Sequence, residues 1–205
     1  MNRYRAIGFD YGGVIEGRPG TFFNKMICAT LDIDLTTYEK VYFSHNKAHN
    51  GGELISQDEM WRRILSDLNM NDKYTLLINS IEEYKVSNRI INKDVLEIIH
   101  SLKKQGYKLG LLTNNAVSVG QRLRDEQTHK LFEAFIVSAE VNLSKPDPRI
   151  FQMLADQLQV NMEELIYIDD TQKSLSTAAE CGYTPILFND ALQLTEELRR
   201  LGIAT

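Results

Sequence analysis

The chain has 205 residues, 43% of them hydrophobic and 25% charged, which is enough apolar material for one sizeable core and a small accessory unit but not for two full domains. Lys and Arg number 23 against 28 Asp and Glu, a formal net charge of −5 that excludes a polybasic nucleic-acid binder and leaves open a local cationic pocket for a small anion. Cys28 and Cys181 stand far apart, in neither a CxxC nor a Cys/His ligand pattern, so neither a disulfide framework nor a zinc module is expected.

The first element is a strand, YRAIGF, ending on Asp10 and followed by the turn Tyr11-Gly12-Gly13. Too few apolar residues precede Asp10 for the core of a signal peptide, and no later stretch reaches the roughly 18 apolar residues of a membrane span. The expectation is a soluble cytoplasmic protein with no membrane or nucleic-acid partner.

Residues 17–86 carry no convincing strand. They do carry helical stripes, such as Met60, Ile64 and Leu68 beside Trp61 and Leu65. This predicts a helical insertion at 17–86 between two parts of one core, 1–16 and 87–205. From Ile90 onward helix and strand alternate. Val95, Ile98, Ile99 and Leu102 form one helix face, with Asn92 as its N-cap and Gly106 as its stop. Lys108 to Thr113 is a nearly all-apolar run that reads as a buried strand. A polar helical stretch over 119–131 precedes a strand at 134–138. Pro148 opens a helix carrying Phe151, Leu154, Ala155 and Leu158. A strand at 165–168, a short helix around Leu175 to Ala179 closed by Gly182, a strand at 185–188 and a final helix bearing Leu194, Leu198 and Leu201 complete the chain.

That alternation predicts an α/β fold, a Rossmann-like parallel sheet flanked by helices, with the helical insertion after its first strand. Sites in such sheets lie outside the carboxyl ends of the strands. The polar residues there are Asp10, Thr113 with Asn114, Lys145 in a loop stiffened by Pro146 and Pro148, and the pair Asp169 and Asp170. A carboxylate on a glycine turn can act as a nucleophile while backbone N–H groups approach an anion. Adjacent carboxylates call for a compensating cation. The convergence suggests Mg²⁺-assisted phosphoryl transfer.

The segments GFDYGGV, LGLLTNN, SKPDP and YIDD resemble, in order and spacing, the four motifs of the haloacid dehalogenase-like hydrolase superfamily, and the stretch GGELISQDEMWRRIL is similar to the helical caps of its phosphatase-like branch. The resemblance implies that Asp10 attacks phosphorus to form an aspartyl-phosphate that water hydrolyses. It implies a Mg²⁺ ion held by the Asp10 carboxylate, the Gly12 carbonyl and Asp170, with Asp169 close by. It also implies that Thr113, Asn114, Lys145 and the turn at Tyr11 and Gly12 bind the phosphoryl group of a small phosphorylated metabolite.

Two positions depart from the motifs. Gly12 stands where phosphatases of this superfamily carry a second Asp that protonates the leaving group and later activates water, and Ser174 stands where the fourth motif often has Asp or Asn. Losing a general acid costs about 10² to 10⁴ in rate, which favours substrates with good leaving groups, sugar phosphate-like or acyl or aryl. Three readings follow: a Mg²⁺-dependent phosphatase, a catalytically weak or non-enzymatic binding protein on the same fold, and a carbon–halogen or carbon–phosphorus hydrolase. Dehalogenation, which needs no metal, makes no use of the acid pair Asp169 and Asp170, and carbon–phosphorus cleavage needs a Schiff-base lysine for which Lys47 is the candidate. His45 and His49 share a helix face but lack a third metal ligand. Glu16 and Arg18 mark the exit toward the insertion, and Trp61 beside Arg62 and Arg63 reads as insertion core with a basic outer face.

Overall fold

A computed structural model describes residues 3–17, 21–50, 57–88 and 90–204. In chain order the elements are β1 (Ala6–Phe9), α1 (Thr21–Leu31), α2 (Leu35–Asn50), α3 (Gln57–Asp67), α4 (Tyr74–Ser87), α5 (Lys93–Lys104), β2 (Lys108–Thr113), α6 (Val117–Asp125), β3 (Ala134–Val137), α7 (Ser138–Val141), α8 (Pro148–Leu158), β4 (Leu165–Asp169), α9 (Ala178–Cys181), β5 (Thr184–Leu187) and α10 (Ala191–Arg200). The chain divides into two compact units, residues 1–17 with 91–205, and residues 18–90. The return to the first unit comes at Ile91 rather than 87, because Ile91 pairs with Glu16 in an isolated antiparallel bridge and the Asn92 N–H donates to the Ile15 carbonyl.

The larger unit is a five-stranded, all-parallel sheet in the order β3-β2-β1-β4-β5. The chain runs outward from β1 to β3 and then crosses to β4 on the other side of β1, so the crevice where strand order reverses opens at the ends of β1 and β4. Period-two alternation sorts the strands' side chains onto two faces. Ile7, Phe9, Leu109, Leu111, Ile166 and Ile168 pack with Val95, Ile98, Ile99 and Leu102 of α5 and with Leu194 and Leu198 of α10. Ala6, Leu112, Ala134, Ile136, Leu165 and Tyr167 pack against the Ile150, Phe151, Leu154, Ala155 and Leu158 stripe of α8.

Local chemistry sets the helix ends. The Asn92 side chain accepts from the Val95 N–H to cap α5, and Gly106, at φ +86°, turns the chain out of it. Asp147 caps α8 with Pro148 in the first turn. Two expectations needed correction. The stretch expected to be helical to 131 breaks at Gln127, whose φ of +61° cannot continue an α-helix, and a 3₁₀ turn from Thr128 to Leu131 follows. Near Leu175 the chain makes a run of i→i+3 turns, and only Ala178–Cys181 is regular helix, closed by Gly182.

The smaller unit contains α1 to α4, and among its described residues there is no strand. Ile27, Leu31, Tyr38, Trp61, Ile64, Leu65, Leu77 and Ile81 form its core. Arg62 lies over the Tyr74 ring at 3.8 Å and bonds Asp58, and Arg63 bonds Glu59, so Trp61 is core and the arginines face outward. His45 bonds Asp67 at 2.7 Å. Arg18, the stretch 51–56 and the side chains of Lys47 and His49 lie outside the described residues. Cys28 and Cys181 are both free thiols, one in each unit. No described helix is long and apolar enough to cross a membrane.

Candidate active site

β1 and β4 end side by side, tied by the Asp10 N–H donating to the Ile168 carbonyl at 2.8 Å. This places Asp10 next to Asp169, and both are buried. The Lys145 ammonium lies between them, 3.0 Å from Asp10 Oδ1 and 2.6 Å from Asp169 Oδ2. Its side chain is only 1% exposed, so this buried charge is compensated by direct contact with two carboxylates. The third ammonium hydrogen bond goes to Tyr167 Oη at 3.0 Å, and that hydroxyl donates to the Leu112 carbonyl at 2.7 Å.

The two oxygens of Asp10 differ. Oδ1 accepts from the Tyr11 N–H at 2.7 Å and faces Lys145, whereas Oδ2 meets no hydrogen-bond donor among the described residues. Burial raises the Asp10 carboxyl to about 6; Lys145 opposes the rise and Asp169 adds to it. Asp169 has both oxygens engaged, Oδ2 by Lys145 and Oδ1 by the Thr171 N–H at 2.8 Å. Asp170 accepts from the Thr171 hydroxyl and lies against Gly13, where a Cβ would overlap its carboxylate; with φ at +83°, this position takes glycine on both counts.

Asp10, Asp169 and Asp170 each present an oxygen, all within 4.8 Å of one another. No described hydrogen bond ends on the Gly12 carbonyl, which leaves it available as a further oxygen ligand. Hard carboxylate oxygens at this spacing suit Mg²⁺, so the residues present fit the ion implied by the sequence.

The remaining expected site residues take more specific positions. Thr113, 1% exposed, accepts from Asn115 Nδ2 at 2.8 Å, so its own hydrogen is left to donate elsewhere. The Asn114 side chain clasps the Lys145 backbone, accepting from its N–H at 2.9 Å and donating to its carbonyl at 3.0 Å. Its amide thus fixes the loop that carries Lys145. The Tyr11 ring is in the core and its hydroxyl donates to Glu16, itself bonded to Arg122, while its N–H donates to Asp10. An added Cβ on Gly12 meets nothing within 4 Å.

Sequence reading missed Asn115, Thr171 and Tyr167. The signal for Tyr167 was present: in LIYID it is the one polar-tipped residue two positions before Asp169, hence on the same face of the strand.

Comparison with known proteins agrees with this geometry. Bifunctional epoxide hydrolase 2 of Mus musculus is 27% identical over 150 residues, 70% of this chain but 27% of the mouse protein, so the chain matches little more than a quarter of that relative's length. Glyceraldehyde 3-phosphate phosphatase of Methanopyrus kandleri is 35% identical over 95 residues, 45% of this chain and 41% of that protein. In fold, a crystal structure of a dehalogenase superposes with a TM-score of 0.70 at 19% identity, covering 92% of this chain and 86% of that one. The profile of haloacid dehalogenase-like hydrolases matches residues 35–188, most of the chain from the insertion through β5. With the parallel sheet, the inserted helices and the charged cluster at the strand ends in place, the chain belongs to the haloacid dehalogenase-like hydrolase family.

Proposed function

We propose that this hydrolase is a Mg²⁺-dependent phosphatase acting on a small phosphorylated metabolite with a good leaving group, through an aspartyl-phosphate on Asp10. The observation that supports this most strongly is the carboxylate set Asp10, Asp169 and Asp170, with Lys145 placed between the first two. Asp10 Oδ2 and Asp170 would hold the cation together with the Gly12 carbonyl, and Asp169, with both oxygens engaged, acts through Lys145. The bound ion supplies charge neutralisation for the phosphoryl oxygens and for the carboxylates themselves.

Asp10 forms a bond to phosphorus as the bond from phosphorus to the leaving oxygen breaks. Lys145 and the Thr113 hydroxyl offset the charge on the phosphoryl oxygens. Asn114 keeps the Lys145 loop in register, and the Tyr11 N–H fixes the carboxylate plane of Asp10. A water then attacks the acyl phosphate, releasing inorganic phosphate and restoring the Asp10 carboxylate. Because Gly12 offers no acid, the leaving oxygen departs without a proton from that position, which favours acyl, aryl and anomeric sugar phosphates over alkyl ones.

The test compares para-nitrophenyl phosphate and acetyl phosphate hydrolysis in Mg²⁺ and in chelator. Turnover that needs Mg²⁺ and disappears in Asp10→Asn is expected. Normal Mg²⁺ binding without turnover would favour a non-enzymatic role, and chloride release from a 2-haloacid in chelator would make the protein a dehalogenase.

A further inference from the structure

We propose that Tyr167 is a positioning residue that holds the Lys145 ammonium in place between Asp10 and Asp169, an assignment that rests on the phosphatase reading above. The ammonium has three hydrogens to place. Two go to the carboxylates, and the third meets Tyr167 Oη at 3.0 Å. The direction of this last bond is fixed, because the Leu112 carbonyl can only accept. The Tyr167 hydroxyl therefore donates to it, at 2.7 Å, and presents a lone pair to lysine. A lysine head on a flexible stem is free to swing about two acceptors; a third removes that freedom.

The ring that carries the hydroxyl is itself held. It is fully buried, with the Phe151 ring edge-on at a centroid distance of 5.2 Å. Across the sheet Tyr167 is in register with Gly8, where a Cβ would stand 2.8 Å from Tyr167 Cδ2. The strand that delivers Asp10 thus also makes room for the ring, two residues earlier. A phenylalanine would fill the same volume; the hydroxyl adds the link from Lys145 to the Leu112 carbonyl, next to Thr113.

The test is Tyr167→Phe, with Phe151→Leu as the control that loosens the ring's packing and keeps the hydroxyl. In Tyr167→Phe, kcat for para-nitrophenyl phosphate at saturating Mg²⁺ should fall about 10-fold, with KM changed less than about threefold, the scale of one lost hydrogen bond to a charged group. Its crystal structure should show the Lys145 Nζ moved away from Asp10. Phe151→Leu, which keeps the hydroxyl, should lose clearly less kcat than Tyr167→Phe even with a lower Tm. An unmoved Nζ, an unchanged kcat, or an equal loss of kcat in Phe151→Leu would overturn the assignment. If the parent protein shows no Mg²⁺-dependent turnover, the phosphatase reading fails by itself. The position of Nζ in Tyr167→Phe then decides the positioning claim alone, displacement supporting it and an unmoved ammonium refuting it.

Discussion

The strand-end site and the core of the helical unit both bury polar atoms, and they treat them in opposite ways. At the strand ends Lys145 makes three hydrogen bonds, and both Asp169 oxygens are engaged. In the helical unit Tyr38 and Trp61 are each 1% exposed, yet Tyr38 Oη and Trp61 Nε1 find no hydrogen-bond partner among the described residues. Burial also pushes the Tyr38 hydroxyl well above the ordinary tyrosine range, so it stays neutral. The difference lies in what each group is for. A buried charge needs an opposite charge close by, since an uncompensated one costs several kcal/mol. A neutral polar tip on a large ring costs about 1–3 kcal/mol unpaired, which the burial of the ring offsets. At the strand ends the polar atoms form one charged cluster; in the helical unit the ring volumes carry the packing.

The comparison breaks most visibly at Lys145. Lys145→Met should destabilise the protein by about 3–5 kcal/mol at neutral pH, because it leaves two buried carboxylates without their cation. The loss should shrink toward pH 5 as Asp10, already raised to about 6, takes up a proton. Urea unfolding at both pH values checks the size and the trend.

In the helical unit, Trp61→Ala should cost about 3–5 kcal/mol and Trp61→Phe below about 2, since the second change removes an N–H that has no partner among the described residues. A Trp61→Phe variant as unstable as Trp61→Ala would mean that the indole nitrogen has a partner and that the contrast with the site is misdrawn.

Asp10→Asn should abolish turnover yet stabilise the protein in chelator by about 1–3 kcal/mol above pH 6. Its folded pKa lies above the unfolded value of 3.8, so the native state binds the proton more tightly between 3.8 and about 6. Stability from this group is present below the unfolded value and is lost as pH rises through about 6. The gain in the variant should therefore fade below pH 4, as Tm measured across pH will show. The same proton competes with the cation, so the Mg²⁺ concentration for half-maximal activity should rise as pH falls through 6.

The smallest expected effect is at Gly12. With open space for a Cβ and no positive φ to strain it, Gly12→Asp should fold normally and raise hydrolysis of alkyl phosphates about 10-fold or more, with a smaller gain on para-nitrophenyl phosphate. Equal gains on both substrates would mean that the leaving group's need for a proton is not what limits the parent enzyme.

The residues legible in the sequence were those whose role follows from where a strand stops. Asp10, Thr113, Asp169 and Asp170 end or follow apolar runs, Lys145 follows the next strand in a proline-flanked loop, and Asn92 and Pro148 announce helix starts. What escaped depends on registers and directions that one strand does not encode. Tyr167 reaches Lys145 because β4 pairs with β1 with Gly8 opposite it. Asn115 matters because its amide turns back two residues to Thr113. Tyr11 could have been placed by alternation, since it follows Asp10 and so points to the other face. In the helical unit the stripes identified buried faces but not their partners, and the packing of Tyr38, Tyr42 and Trp61 rings emerged only in three dimensions.

Mass spectrometry of the protein quenched in acid during turnover of acetyl phosphate with Mg²⁺ tests whether Asp10 carries the phosphoryl group. One phosphoryl group is expected on the peptide containing Asp10, absent in chelator and absent from Asp10→Asn. Continued Mg²⁺-dependent turnover by Asp10→Asn, or a phosphoryl group found on another residue, would contradict it.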